Sequence, residues 1–142
     1  MMDLDIPDRL IPVRDKIDKF VRELVDPVTD EYYDQISVGD RWALNDRQTE
    51  ILDGLKDKAR EAGLWNFFLP ESQGGAGVTN LEYSHLAEVM ARNPIASEVF
   101  NCAAPDTGNM EVLERYGSEE QKKEWLELLL EGKIRSAFAM TE

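Results

Sequence analysis

The chain has 142 residues, 42% of them apolar and 32% charged, a balance that suits one globular domain with a substantial core. Its 29 acidic and 16 basic side chains leave a net charge of -13, which repels phosphate backbones and argues against nucleic acid as a partner. Apolar runs such as Leu128-Leu129-Leu130 are too short to span a bilayer, and the lone Cys102 can form neither an internal disulfide nor a cysteine–zinc cluster.

The opening stretch MMDLDIPD is acidic and lacks a long apolar core. It reads as neither a secretory signal nor an Arg-rich transit peptide, and with a single thiol it points to a reducing, cytoplasmic setting, while a processed organelle protein would look the same. From about Arg9 to Leu24, Val13, Ile17, Phe20, Val21 and Leu24 fall on one helical face, with Pro12 in the first turn, where a missing N–H costs least. Asp26-Pro27 predicts a restart, with Asp26 as cap and Pro27 at the first position of a short second helix ending near Ile36. A polar loop containing Gly39 follows. The next helix is expected from about Asp46 to Ala62, with Ile51, Leu55, Ala59 and Ala62 inward and Gly63 as its left-handed stop.

Trp65, Phe67, Phe68 and Leu69 form a dense apolar cluster cut by Pro70, and Gly74, Gly75 and Gly77 make a loop. Thr79 and Glu82 have capping-box spacing and open a helix that turns Leu86, Val89 and Met90 inward and ends at Asn93-Pro94. A short helix runs on to Phe100, and another from Thr107 to Tyr116, closed by Gly117. Ser118 and Gln121 form a second capping box, whose helix is expected to bury Trp125, Leu128 and Leu129 before Gly132. Ser136 to Glu142 alternates small or polar with large apolar residues and reads as a strand with nothing to pair with. The expected fold class is all-α: a bundle of about six helices ending in one β-strand.

Few residues suggest chemistry on their own. The glycine run lacks the Lys-Ser or Lys-Thr pair of a phosphate loop and reads as a structural turn. His85 has no Ser, Cys or second His near it, and Cys102 lies in apolar surroundings that make a thiol inert. There is no H-E-x-x-H or EF-hand pattern, so no metal ligand and no catalytic residue is nominated. Phe100, Met110, Tyr116 and Trp125 read as core, or alternatively as one wall of an apolar ligand pocket.

Three stretches nevertheless resemble the N-terminal helical domain of the FAD-dependent acyl-CoA dehydrogenases. They are AREAGLWNFFLPESQGGAGVTNLEYSHLAEVMAR, NCAAPDTGNMEVLERYGSEEQKKEWLELLLEGKIRSAFAMTE and, more weakly, the helix before Asp26-Pro27. Their order and spacing over most of the chain make the likeness specific. It implies residues 1-133 as the helical domain and residues 134-142 as the first strand of a middle β domain that lies outside the chain. It also implies FAD-dependent α,β-dehydrogenation of an acyl-CoA thioester, with the glutamate base supplied by a C-terminal bundle and hence by no residue here.

By the same resemblance, Phe138, Met140 and Thr141 match positions that line the flavin. Phe100, Ala104, Gly108 and Met110 match the region beside the acyl tail. The complete enzyme would act on acyl-CoA, pass electrons to an acceptor and assemble as a homo-oligomer, whereas this chain alone would bind flavin weakly and catalyse nothing. Two other readings stand beside it. One is a non-catalytic helical module that docks through its open apolar strand edge. The other is the same domain in an acyl-CoA oxidase-like flavoenzyme.

Overall fold

The structure, a computed structural model, describes residues 4–40, 42–69 and 76–140. After a 3-10 turn at Asp8–Leu10, the helices are α1 (Ile11–Phe20), α2 (Asp26–Asp34, ending in a second 3-10 turn at Gln35–Ser37), α3 (Asp46–Glu61), α4 (Asn80–Met90), α5 (Ala96–Val99), α6 (Asp106–Tyr116), α7 (Glu119–Gln121) and α8 (Glu127–Leu130). Wide π-helical turns, Val21–Val25 and Lys122–Leu126, join α1 to α2 and α7 to α8 without a break. The described residues therefore form six helical rods, as expected.

The restart expected at Asp26 is not a break. The Asp26 N–H reaches back five residues to the Val21 carbonyl. This wide turn lets the helix absorb Pro27, which has no N–H to give and whose ring would crowd a regular turn. Asp26 caps nothing: its carboxylate accepts from Asn93 Nδ2 at 2.8 Å, and the same amide donates to Thr29 Oγ1 at 2.7 Å. The Thr29 hydroxyl in turn donates to the Val25 carbonyl at 2.8 Å, satisfying a group beside the bulge.

The second π-turn corrects another expectation. An extra residue in the turn rotates the helix face, so Leu126 and Leu129 are buried while Trp125 is 48% exposed. Tyr116, also expected in the core, is 79% exposed at the end of α6. Both capping boxes at Thr79/Glu82 and Ser118/Gln121 are formed. A third, Asn45 with Gln48, opens α3 and escaped the sequence reading.

The core is centred on aromatic packing. The Phe20 and Phe100 rings lie 5.2 Å apart, Phe67 and Phe100 5.8 Å, and Phe67 and Tyr83 5.9 Å, the spacing of tilted and edge contacts. Ile17, Val25, Leu55, Ala59, Leu86, Val99 and Met110 close round them.

Beside this core lies a buried polar clasp. Asn66 and Asn101 both adopt left-handed backbone, with φ of 52° and 54°. Asn is among the few non-glycine residues that visit this region at low cost. Asn101 Nδ2 donates to Asn66 Oδ1 at 2.7 Å and to the Leu129 carbonyl at 2.9 Å. Asn66 Nδ2 and Trp65 Nε1 each donate to the Leu130 carbonyl at 2.8 Å, and Arg60 Nη2 donates to Glu131 O at 2.9 Å. The carbonyls that a helix end leaves orphaned are thus satisfied from the end of α3 and from two distant loops. Gly132 completes the clasp: its φ is 69°, and a Cβ there would stand 2.9 Å from Trp65 Cζ2. The clasp fixes where the chain leaves the bundle.

Residues 136–140 take part in no β-ladder among the described residues. A strand is defined by its partner, and no other segment among the described residues is extended into a strand for it to pair with. Thr141 and Glu142 lie outside the described residues, as do Gly74 and Gly75 of the glycine loop.

Candidate functional site

Beyond Gly132 the chain turns back across the N-terminal end of α6. Asp106, in the first turn of α6, is 2% exposed. Its Oδ1 accepts from Ser136 N at 2.7 Å and from Ser136 Oγ at 2.6 Å. Its Oδ2 pairs with Arg135 Nε. Burial by itself disfavours the carboxylate, but the Ser136 hydroxyl and amide and the Arg135 guanidinium outweigh it, so the pKa lies below the ordinary Asp value. Asn109 Nδ2 also donates to Ser136 Oγ, at 2.8 Å.

Past this anchor the segment is open. Phe138 is 59% exposed and Met140 80%. The Phe138 ring lies over Gly108, its Cζ 3.7 Å from where a Cβ on that glycine would stand. Among the described residues no backbone hydrogen bond involves residues 137–140. An apolar cleft of about 460 Å³ adjoins the segment, lined by Val112, Leu113, Trp125, Leu129 and Ile134, with Arg135 and Ser136 at its rim.

The structure separates the other residues singled out in the sequence. Ala104 and Gly108 are exposed beside the outgoing segment, whereas Phe100 and Met110 are wholly buried in the core. Thr141 is outside the described residues. Cys102 is buried, its thiol donating to the Phe100 carbonyl at 3.3 Å, and burial pushes its pKa up to about 12. Tyr83 beside it is likewise pushed up, chiefly by burial. Both groups stay neutral near pH 7, which leaves no thiolate for nucleophilic work. His85 is partly buried with Nε2 unpartnered, and no group of three or more potential metal ligands occurs among the described residues.

Asp106 is the site residue that sequence reasoning missed. An acid in the first turn of a helix already has a local explanation in the helix dipole. Its pairing with Ser136, 30 positions away, leaves no trace in spacing.

Residues 11–133 match the family model "Acyl-CoA dehydrogenase, N-terminal domain". The chain belongs to the acyl-CoA dehydrogenase family and represents its N-terminal domain. It is 52% identical over 129 residues to mouse "Acyl-CoA dehydrogenase family member 10", covering 87% of this chain and 12% of that protein. To human "Acyl-CoA dehydrogenase family member 11" it is 44% identical over 131 residues, 89% of this chain and 16% of that protein. A solved acyl-CoA dehydrogenase-type structure from Mycobacterium abscessus superimposes with a TM-score of 0.82 at 47% identity, covering 97% of this chain and 35% of that one. The chain thus spans well under half the length of these relatives. No helix among the described residues is long and apolar enough to cross a membrane.

Proposed function

We propose that this domain forms one wall of a flavin and acyl-CoA site in an oxidoreductase that introduces an α,β double bond into an acyl-CoA. One observation carries the reading: residues 137–140 leave the bundle with open backbone and all four side chains exposed, Phe138 and Met140 among them, beside an apolar cleft. The donor set fits the edge of a flavin ring. Unpaired amides of 137–140 are available to polar ring atoms, and Phe138 and Met140 offer apolar contact. Thr141 belongs to the same proposed set, and residues 134-142 are read as the first strand of a β domain.

FAD, when bound, supplies the hydride acceptor. The substrate's α-proton goes to a carboxylate base contributed from outside these residues, and the product is the trans-2-enoyl-CoA. Within this chain the residues bind and orient. Exposed Ala104, beside the Gly108 that the Phe138 ring faces, leaves room for an acyl tail, and the buried Phe100 and Met110 belong to the same proposed set. An electron acceptor, a homo-oligomeric assembly and a cytoplasmic location belong to the same reading, the last in keeping with a single cysteine that can form no internal disulfide.

The test is FAD titration of the purified chain by flavin fluorescence, alongside turnover of octanoyl- and palmitoyl-CoA with an acceptor dye. The expected result is weak flavin binding and no turnover by this chain, with turnover by a longer protein carrying it. Turnover by the chain alone would refute an external base. A longer protein that carries no flavin and ignores acyl-CoA would refute the whole reading.

A further inference from the structure

Four charged side chains run in one line across the bundle: Lys56 of α3, Glu98 of α5, Arg135 of the outgoing segment and Asp106 of α6. Lys56 Nζ stands 2.6 Å from Glu98 Oε1, Arg135 Nη1 pairs with Glu98 Oε2, and Arg135 Nε pairs with Asp106 Oδ2. The signs alternate, so the line is neutral within itself. Both oxygens of each carboxylate are engaged, since Asp106 Oδ1 is taken by Ser136. Such a saturated line offers little free charge to a ligand. Its consequence is mechanical.

The line ends on one residue. Ser136 gives its amide and its hydroxyl to a single oxygen of the buried Asp106, and its hydroxyl accepts from Asn109. The next four residues make no backbone hydrogen bond among the described residues. The boundary between hydrogen-bonded and open backbone therefore falls between Ser136 and Ala137, one residue before Phe138. Charge-assisted bonds to a buried carboxylate are the strongest and most directional hydrogen bonds available for such an anchor.

We propose that Asp106 is a positioning residue: through Ser136 and Arg135 it sets the direction in which residues 137–140 leave the bundle, and so the place of Phe138 and Met140. Lys56 and Glu98 hold the far side of Arg135 and tie that direction to α3 and α5. The consequence for flavin rests on the reading in the preceding section; the anchoring does not.

NMR of the purified chain tests the anchoring. In Asp106→Ala, the Ser136 amide should exchange faster by roughly tenfold or more, as expected for loss of a charge-assisted hydrogen bond. The contact between the Phe138 ring and Gly108 should disappear, while core amides at Leu55 and Leu86 keep their protection. Ser136→Ala, which removes only a hydroxyl and spares the core should Asp106→Ala fail to fold, should weaken the same contact, and Ser136→Thr should restore it. A Phe138–Gly108 contact that survives in folded Asp106→Ala, or that is as strong in Ser136→Ala as in the wild type, overturns the proposal.

FAD titration separates the anchoring from the flavin reading. If Phe138→Ala and Ser136→Ala both weaken binding, the positioning role extends to the flavin. If Phe138→Ala weakens it and Ser136→Ala does not, the positioning claim is overturned. If neither matters, the flavin reading fails and the anchor stands or falls on the Phe138–Gly108 contact.

Discussion

The Phe20–Phe67–Phe100 core and the C-terminal edge are built from the same kinds of residue and treat them in opposite ways. In the core, aromatic rings meet at 5.2 to 5.8 Å and are shut off from solvent. At the edge, Val112, Trp125, Phe138 and Met140 remain about half exposed or more. Apolar character thus marks two different jobs here. In the core it drives folding; at the edge it is surface left open beside a cleft.

That contrast fails if truncations in the two regions cost the same. Phe100→Ala should show the largest effect, about 3–5 kcal/mol of stability lost in urea unfolding, because it opens a cavity where two other rings meet. A cost below about 1 kcal/mol would mean that the core is not the organising unit.

Acid sharpens the contrast next, because the edge is held by charge. The folded pKa of Asp106 lies below its unfolded value, so its stabilisation is present above the ordinary Asp value of about 4 and is lost as pH falls below it. Near pH 7, Asp106→Asn should cost about 1–3 kcal/mol through mispaired Arg135 and Ser136 donors. The gap between variant and wild-type melting temperatures should then narrow as pH drops below about 4. A gap independent of pH would show that the carboxylate's charge contributes nothing.

Thr79→Ala tests a region belonging to neither side. Loss of the capping hydroxyl at the start of α4 should cost about 1 kcal/mol by thermal melting, and no flavin affinity. Smallest in stability should be Phe138→Ala, within about 0.5 kcal/mol of wild type, as for an exposed side chain. Its effect should appear in flavin titration instead. A large stability loss there would make Phe138 part of the core after all.

Much of this arrangement was legible in the residues. The capping boxes at Thr79/Glu82 and Ser118/Gln121, the stop at Gly63 and the inward faces of α3 and α4 depend on neighbours within one or two turns, so spacing alone reveals them. The two π-turns were not legible. Asp26-Pro27 is a good helix start by local rules, and only the register of the whole rod against Asn93 shows that the helix runs through it. Trp125 looked buried for the same reason, since one extra residue in a turn rotates every side chain after it.

The candidate site divides along the same line. Family membership is carried by local motifs, which survive reading one residue after another. The direction of that segment is set by pairs far apart in the chain: Asp106 with Ser136, Glu98 with Arg135, and Asn66 and Asn101 with the end of α8. By itself the sequence determined which helices form, because helix signals act over three or four residues. Only the tertiary structure decided which apolar residues stay exposed and where the chain leaves the bundle, because burial and long-range hydrogen bonds exist only once distant segments meet.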